Sequence, residues 1–241
     1  MKQVTAFQIA EKPSPDQIVS IHDDFTLEVC LDEKSKRLAF QIRYRAYLEA
    51  GMIPENEEGM FYDEDDYQPN SRIFLVWYQD KAVATVRSCV YSDAYGWMPT
   101  EGVLHFREEL SNKIGTHTRL LESNRFAVDP TFQGRQSLFA RFLLFRGHGL
   151  NAAVHQCKYI VTSVKANHIA FYQRFLNLEP ISPEPHYYEW LEADVSLLMN
   201  ETDTCLNSIL KRGMPGYDQE DIRCFAICAY VPLIDGQAQA A

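Results

Sequence analysis

The sequence predicts an α+β (mixed α/β) domain in which one sheet is covered by helices. Three observations carry this. Residues 71–78 and 81–90 are apolar runs separated by Gln79-Asp80, the pattern of a β-hairpin. Residues 119–146 read as strand, short loop and long helix. A second apolar strand and helix follow at 159–164 and 167–176, and then an antiparallel pair at 187–191 and 194–199. Strand–helix alternation in the middle is thus flanked by hairpins on both sides.

Residues 1–24 are polar, carry Pro13 and Pro15, and read as an N-terminal arm or an edge covering. Phe25, Leu27, Val29 and Leu31 alternate as one face of a strand. Asp32 is placed to cap a helix from Lys34 to about Ala50, with Leu38, Ile42 and Leu48 near one face and Gly51 as its stop. Arg43 and Tyr47 stand one turn apart on that helix. An acidic loop from Glu55 to Asp66 follows, and Phe61, Tyr62 and Tyr67 interleave with Asp63, Asp65 and Asp66. In the hairpin, Arg87 lies inside an apolar run, where a lone guanidinium is expensive unless paired. After a loop with Gly96 and Pro99, a short helix is expected over 103–113.

The stretch from Arg119 to Arg146 organises the rest. Leu120, Leu121, Phe126 and Val128 favour a strand, interrupted by Glu122 and Arg125. Asp129-Pro130 ends it, because proline lacks a ladder donor and biases its predecessor toward extended geometry. Gly134 allows a tight turn. Leu138, Phe139, Phe142, Leu143 and Phe145 then recur at helical spacing, giving one broad apolar face. A loop ending in a helix N-terminus offers free N–H groups and a positive dipole end, which suits a phosphate, although an ordinary strand–helix connection has the same pattern. Glu122 and Arg125 are three residues apart, so a regular strand points them to opposite faces; a β-bulge would bring both to one side. Residues 202–212 suggest another helix, residues 225–234 (FAICAYVPLI) a strand or a lid, and GQAQAA a disordered end. The expected division is an arm at 1–24, a main domain at 25–200 and an extension at 201–241 packed on or covering it.

With 241 residues, 46% of them hydrophobic, the chain can bury a sizeable core. It has no 18-residue apolar run and no signal-peptide pattern, so a cytoplasmic protein is expected. The net charge of −10 argues against nucleic acid as a partner. Between Arg119 and Arg174, however, eight basic residues face two acids, a local +6 that leaves −16 elsewhere. That distribution suggests a specific anionic partner, or else a solvated basic helix face. Cys30, Cys89, Cys157, Cys205, Cys224 and Cys228 form no C-x-x-C and read as reduced thiols. No Ser-His-Asp set or metal cluster emerges, so neither covalent nor metal catalysis is expected.

Hairpin, acid-bearing strand, phosphate loop and FYQRF helix, in that order, resemble the GNAT-type acyltransferases. The resemblance implies a GNAT-like central sheet whose fourth and fifth strands splay apart, with an acyl-bearing pantetheine in the gap. Residues 128–135 (VDPTFQGR) resemble the family's pyrophosphate motif, but Gln136 and Leu138 replace two further glycines. Such a loop suits a carrier protein's single phosphate better than coenzyme A. More closely, Arg43 with Tyr47, Tyr62-Asp63-x-x-Asp66, Arg87 and Glu122-x-x-Arg125-Phe126 resemble the acyl-homoserine-lactone synthases and their relatives, the N-acyl amino acid synthases. The first acid of the lactone synthases' motif falls at Phe61, and no tryptophan follows the first helix, where residues 49–54 read EAGMIP. Both departures favour the amino acid synthase branch.

The resemblance implies roles. Glu122 would take the acceptor's ammonium proton, directly or through water, or else be the ion-pair partner of Arg125 or Arg87. Asp63 and Asp66 would hold the ammonium, and Arg87 or Arg125 the carboxylate, with Arg43 beside them. Backbone groups of Phe126, Ala127 and Val128 would pair with pantetheine, and Gln133, Gly134 and Arg135 with its phosphate. Tyr172 would protonate the leaving thiolate or serve as a core aromatic, since Lys165 and Leu176-Asn177 stand where an Asn and a Gly-Phe usually flank it. His168 reads as a helix-surface or capping residue. The expected reaction moves a fatty acyl group from acyl carrier protein, in preference to acyl-CoA, to the α-amine of an amino acid. Acyl-phosphopantetheine is then a co-substrate, with no permanently bound cofactor or metal and membrane contact only through the product. Alternatives are a lactone synthase and a non-catalytic module that binds acyl carrier protein or lipid; a pure binder has no need of the Glu122–Arg87 pair.

Overall fold

The computed structural model of the chain describes residue 13 and residues 15–97, 100–213 and 216–229. Nine strands form one mixed sheet: β1 Ile18–His22, β2 Phe25–Val29, β3 Ser71–Tyr78, β4 Lys81–Tyr91, β5 Leu120–Val128, β6 Tyr159–Lys165, β7 Glu179–Pro180, β8 His186–Tyr188 and β9 Ala193–Glu201. Among the described residues seven α-helices accompany them: α1 Glu33–Glu49, α2 Glu101–Leu104, α3 Arg107–Ile114, α4 Arg135–Val154, α5 Ala166–Leu176, α6 Thr202–Leu210 and α7 Gln219–Cys228. The strand order is β1-β2-β3-β4-β5-β6-β9-β7, with β8 also on β9.

Every pairing is antiparallel except that of β5 with β6. This parallel joint lasts only from Leu120↔Tyr159 to Glu122↔Val161. Beyond Glu122 the two strands part, so β5 and β6 are the pair that splays. A bulge marks the same place. Arg87 pairs with Asn124 and Thr85 with Ala127, so Arg125 and Phe126 together stand opposite Val86, and Arg125 takes a positive φ of 53°. The bulge puts Asn124 and Arg125 on one face of the sheet.

α1 packs on one face over β3, β4 and β5, and begins at Asp32, whose side chain accepts from the Ser35 N–H at 2.7 Å. α4 lies on the other face. It approaches closely because Gly147 has no side chain: a Cβ there would stand 2.9 Å from the Phe74 ring. The sequence predicts one apolar face for α4, but from Ala140 to Val154 almost every residue is buried, while Leu138 is exposed. The sheet covers one side of the helix, and α6 and α7 cover the other.

Other expectations change in detail. The helix expected at 103–113 is two, α2 and α3, broken at His105-Phe106. Within the expected arm, residues 18–22 form β1 on the sheet edge. Residues 225–228 belong to α7 rather than to a strand or lid. Asp218 and Asp221 cap its start reciprocally, and Ile222, Phe225, Ala226 and Ala229 repeat at helical spacing and are buried. The arm before Pro13, Pro99 and the tail from residue 230 lie outside the described residues. All six cysteines are free thiols, four of them buried. None of the described helices is long and apolar enough to cross a membrane.

Candidate active site

Where β5 and β6 diverge, a cavity of about 780 Å³ opens. Its walls are the outer halves of those strands, the end of α1 with Tyr47, the acidic turn at Asp63–Asp65, Arg141 of α4, and Tyr172 of α5. The segment carrying Thr100 and Gly102 closes one side.

Glu122 occupies the last position of β5 that pairs with β6, at the angle of the splay, and is wholly buried. Three uncharged donors fix it. The Tyr91 hydroxyl donates to Oε2 at 2.5 Å, and the Thr100 hydroxyl and Asn124 amide donate to Oε1 at 2.6 and 2.8 Å. Among the described residues no guanidinium pairs with it, so the ion-pair partner expected in Arg125 or Arg87 is not what holds it. The reason is local: Asn124 stands between, accepting from Arg87 Nε at 2.7 Å while donating to Glu122. Burial and the Glu122 charge push the Tyr91 pKa up, so its hydroxyl remains a donor. The Tyr91 oxygen in turn accepts the Thr100 N–H at 2.9 Å.

The arginines are paired with the aspartates of the acidic turn. Arg87 and Arg125 both bind Asp63, Arg125 at 2.5 Å. Burial would raise the Asp63 pKa, but the two guanidinium charges and their hydrogen bonds prevail and hold it at about 2. Arg43 pairs with Asp66 at 2.7 Å, both side chains fully buried, and Arg87 lies 3.2 Å from the same carboxylate. Asp66 also accepts the Asp63 N–H at 3.0 Å. Arg43 and Asp66, expected at the substrate, therefore sit beneath the site and brace the turn that presents Asp63. Neither lines the cavity. Asp65 does, 3.5 Å from Arg87; burial and the neighbouring charges of Asp63 and Glu122 raise its pKa against the pull of Arg87. Arg125 also covers the Phe61 ring at 4.9 Å.

On the donor side, Phe126, Ala127 and Val128 line the cavity along a stretch of β5 that has no ladder partner on the β6 side. Tyr172 lines it too, buried, with its pKa raised by burial and by the nearby Tyr47. Gln133, Gly134 and Arg135 stand outside the cavity lining, at the start of α4, where Gly134 takes a φ of 82° and Gln133 donates to the Pro130 carbonyl. The +6 segment is not one patch. Arg119 and Lys158 meet at the opposite ends of β5 and β6, where the Lys158 N–H donates to the Arg119 carbonyl, and Arg146 is buried against Asp221.

Tyr91, Thr100 and Asn124 escape the sequence reading, whereas Arg141 is read there, with Arg135 and Lys165, as part of the basic segment that faces an anionic donor. Strand alternation offers a signal for two of them: Tyr91 shares a face with Arg87 four residues earlier, and Asn124 with Glu122 two residues earlier. Thr100 carries no such signal.

A family model for the N-acyl amino acid synthase FeeM matches residues 38–201. No curated protein sequence matches. Among solved structures, FeeM, an N-acyl amino acid synthase from uncultured soil microbes, superposes with a TM-score of 0.63 at 18% identity, covering 79% of this chain and 97% of that one. The acyl-homoserine-lactone synthase LasI gives 0.57 at 16%, over 78% and 95%. MesI, a CoA-dependent acyl-homoserine lactone synthase, gives 0.56 at 18%, over 79% and 97%. At such identities the structural likeness is one of fold.

Proposed function

The chain belongs to the FeeM family of N-acyl amino acid synthases, and from that premise we propose that it moves a fatty acyl group from acyl carrier protein to the α-amine of an amino acid. It is an N-acyltransferase; the donor and the acceptor are the proposal.

The carrying observation is Glu122, a buried carboxylate held by uncharged donors at the angle of the splay and bordering the cavity. In this reading the pantetheine arm lies along Phe126–Val128, whose free main-chain groups pair with its amides and polarise the thioester carbonyl. The acceptor amine attacks that carbonyl. Its surplus proton passes to Glu122, the C–N bond forms as the C–S bond breaks, and the Tyr172 hydroxyl returns a proton to the departing thiolate. Charge supports a zwitterionic acceptor. Arg87 and Arg125 converge on the one carboxylate of Asp63 at the cavity wall, a pair of guanidiniums that suits a substrate carboxylate. Asp65, loosely held at 3.5 Å, and Glu122 remain for the ammonium.

The donor follows from the one-glycine loop and from Arg135, exposed at the start of α4, which suit an acidic carrier protein. The purified chain, incubated with acyl carrier protein charged with varied chains, with the matching acyl-CoA thioesters and with all amino acids, should release N-acyl amino acids detectable by mass spectrometry. A lactone product would overturn the acceptor assignment. Binding of charged carrier without any product would make the chain a carrier-binding module.

A further inference from the structure

Three basic side chains line the cavity with no acid paired to them among the described residues: Arg141 of α4, Lys165 at the end of β6 and His168 in the first turn of α5. Arg141 is half-buried and makes no hydrogen bond or ion pair among the described residues; its guanidinium lies 5.7 Å from the Phe171 ring centre. Lys165 Nζ reaches only the Leu191 carbonyl, at 3.4 Å. The three are close enough to act on one another, since burial and the charges of Lys165 and Arg141 together lower the His168 pKa. The other cavity arginines, Arg87 and Arg125, both pair with Asp63.

Arg141 and Lys165 are cations in a half-buried wall that repel each other, and an anion completes the arrangement. The position of Arg141 says where that anion lies. Helical side chains lean toward the helix N-terminus, so Arg141, on the second turn of α4, leans toward the open amides of its first turn. That turn holds no acid, and its dipole end carries the same sign as the guanidinium.

We propose that Arg141, supported by Lys165 and His168, binds the phosphate of the donor's phosphopantetheine arm. The inference rests on the reading of the chain as a phosphopantetheine-dependent acyltransferase. It accounts for a loop with a single glycine: side-chain cations inside the cavity take over the anion contact that a glycine-rich turn would make with backbone N–H groups.

Acyl thioesters of 4′-phosphopantetheine and of pantetheine differ only in the phosphate, and both are small enough to bypass carrier-protein docking. Wild-type enzyme should prefer the phosphorylated donor by about tenfold or more in kcat/KM, and Arg141→Gln should bring the ratio below about threefold, as expected for loss of a charge-assisted contact. Equal use of both donors by the wild type overturns the proposal, as does an unchanged ratio in the variant. If Arg141→Gln instead loses the preference for an amino acid over its methyl ester while the donor ratio holds, the residue serves the acceptor carboxylate and the proposal falls. A competition experiment on wild-type enzyme needs no variant: 4′-phosphopantetheine must inhibit at concentrations about tenfold below those of pantetheine, and equal inhibition overturns the inference. Amide formation without phosphate preference leaves the acyltransferase reading standing; no transfer from any donor overturns both.

Discussion

In Glu122→Gln the side chain keeps its shape, and the three donors around it set the cost. A glutamine offers one carbonyl oxygen where the carboxylate offers two. Asn124 cannot turn its amide over, because its oxygen holds Arg87 Nε at 2.7 Å. The new carbonyl therefore takes the Thr100 and Asn124 side, and the new amide meets the Tyr91 oxygen, which already accepts the Thr100 N–H. Two charge-assisted bonds become neutral at about 1 kcal/mol each, and one buried hydroxyl proton is stranded at about 1–3 kcal/mol. Removing a buried charge returns part of this, leaving a net loss of about 1–3 kcal/mol, or roughly 2–10 °C in Tm. If Glu122 is the base, kcat should fall about 10²–10⁴-fold, far more than that loss of stability explains in a folded enzyme. The deficit should shrink as pH rises through the titration of the acceptor amine, which then arrives neutral. The assay is kcat against pH at saturating donor, run beside thermal melts. Wild-type kcat in folded Glu122→Gln refutes the base, and a pH-independent loss with a lowered Tm leaves Glu122 as the scaffold of Tyr91, Thr100 and Asn124.

Asp63→Asn should raise the acceptor KM about tenfold while donor KM changes little, because the change strips Arg87 and Arg125 of their shared anion; unaltered acceptor kinetics remove Asp63 from that role. Its carboxyl is held at about 2 against an ordinary 3.8, so its contribution is full above pH 4 and disappears as pH falls toward 2. Partial exposure limits that contribution to about 1–2 kcal/mol, read from denaturant unfolding of wild type and variant across this window. Burial alone lowers the His148 pKa from 6.5 to about 3, so the unfolded chain takes up the proton first. Stability from this residue is whole above pH 6.5 and declines by about 1.4 kcal/mol per pH unit down to about 3, and His148→Gln should flatten that limb; parallel acid limbs would refute it. Arg135→Glu should raise the KM for acyl carrier protein and weaken its salt dependence, and wild-type turnover with acyl-CoA at or above that with the carrier would defeat the donor assignment.

What the sequence makes legible here is local. Hydrophobic period, the Gln79-Asp80 turn and Asp32 place β3, β4 and α1, and the need to bring Glu122 and Arg125 to one side calls for a bulge that stands opposite Val86. What stays hidden depends on distant partners. The sequence shows arginines and aspartates of suitable kind; only the fold matches Arg43 with Asp66 and Arg87 with Asp63, and so turns two expected ligand contacts into a brace. The Thr100 hydroxyl reaches Glu122 from a loop across 22 positions, which no spacing rule anticipates. The α7 helix was within reach, since Asp218-x-x-Asp221 ahead of Ile222, Phe225 and Ala226 is a start signal, but the contiguous apolar run FAICAYVPLI masks it.

The three-rung joint between β5 and β6 gives the sheet the mechanics of a lever. Five antiparallel strands on one side and the β6–β9 group on the other form two plates, and Glu122 stands at their fulcrum. Val128 lies six positions further out, roughly 20 Å along the strand, so a change of about 10° in the angle between plates moves it by about 3–4 Å. Glu122 and its three donors hardly shift. Substitutions in the helices that set this angle can therefore resize the cavity while Glu122 keeps its three donors.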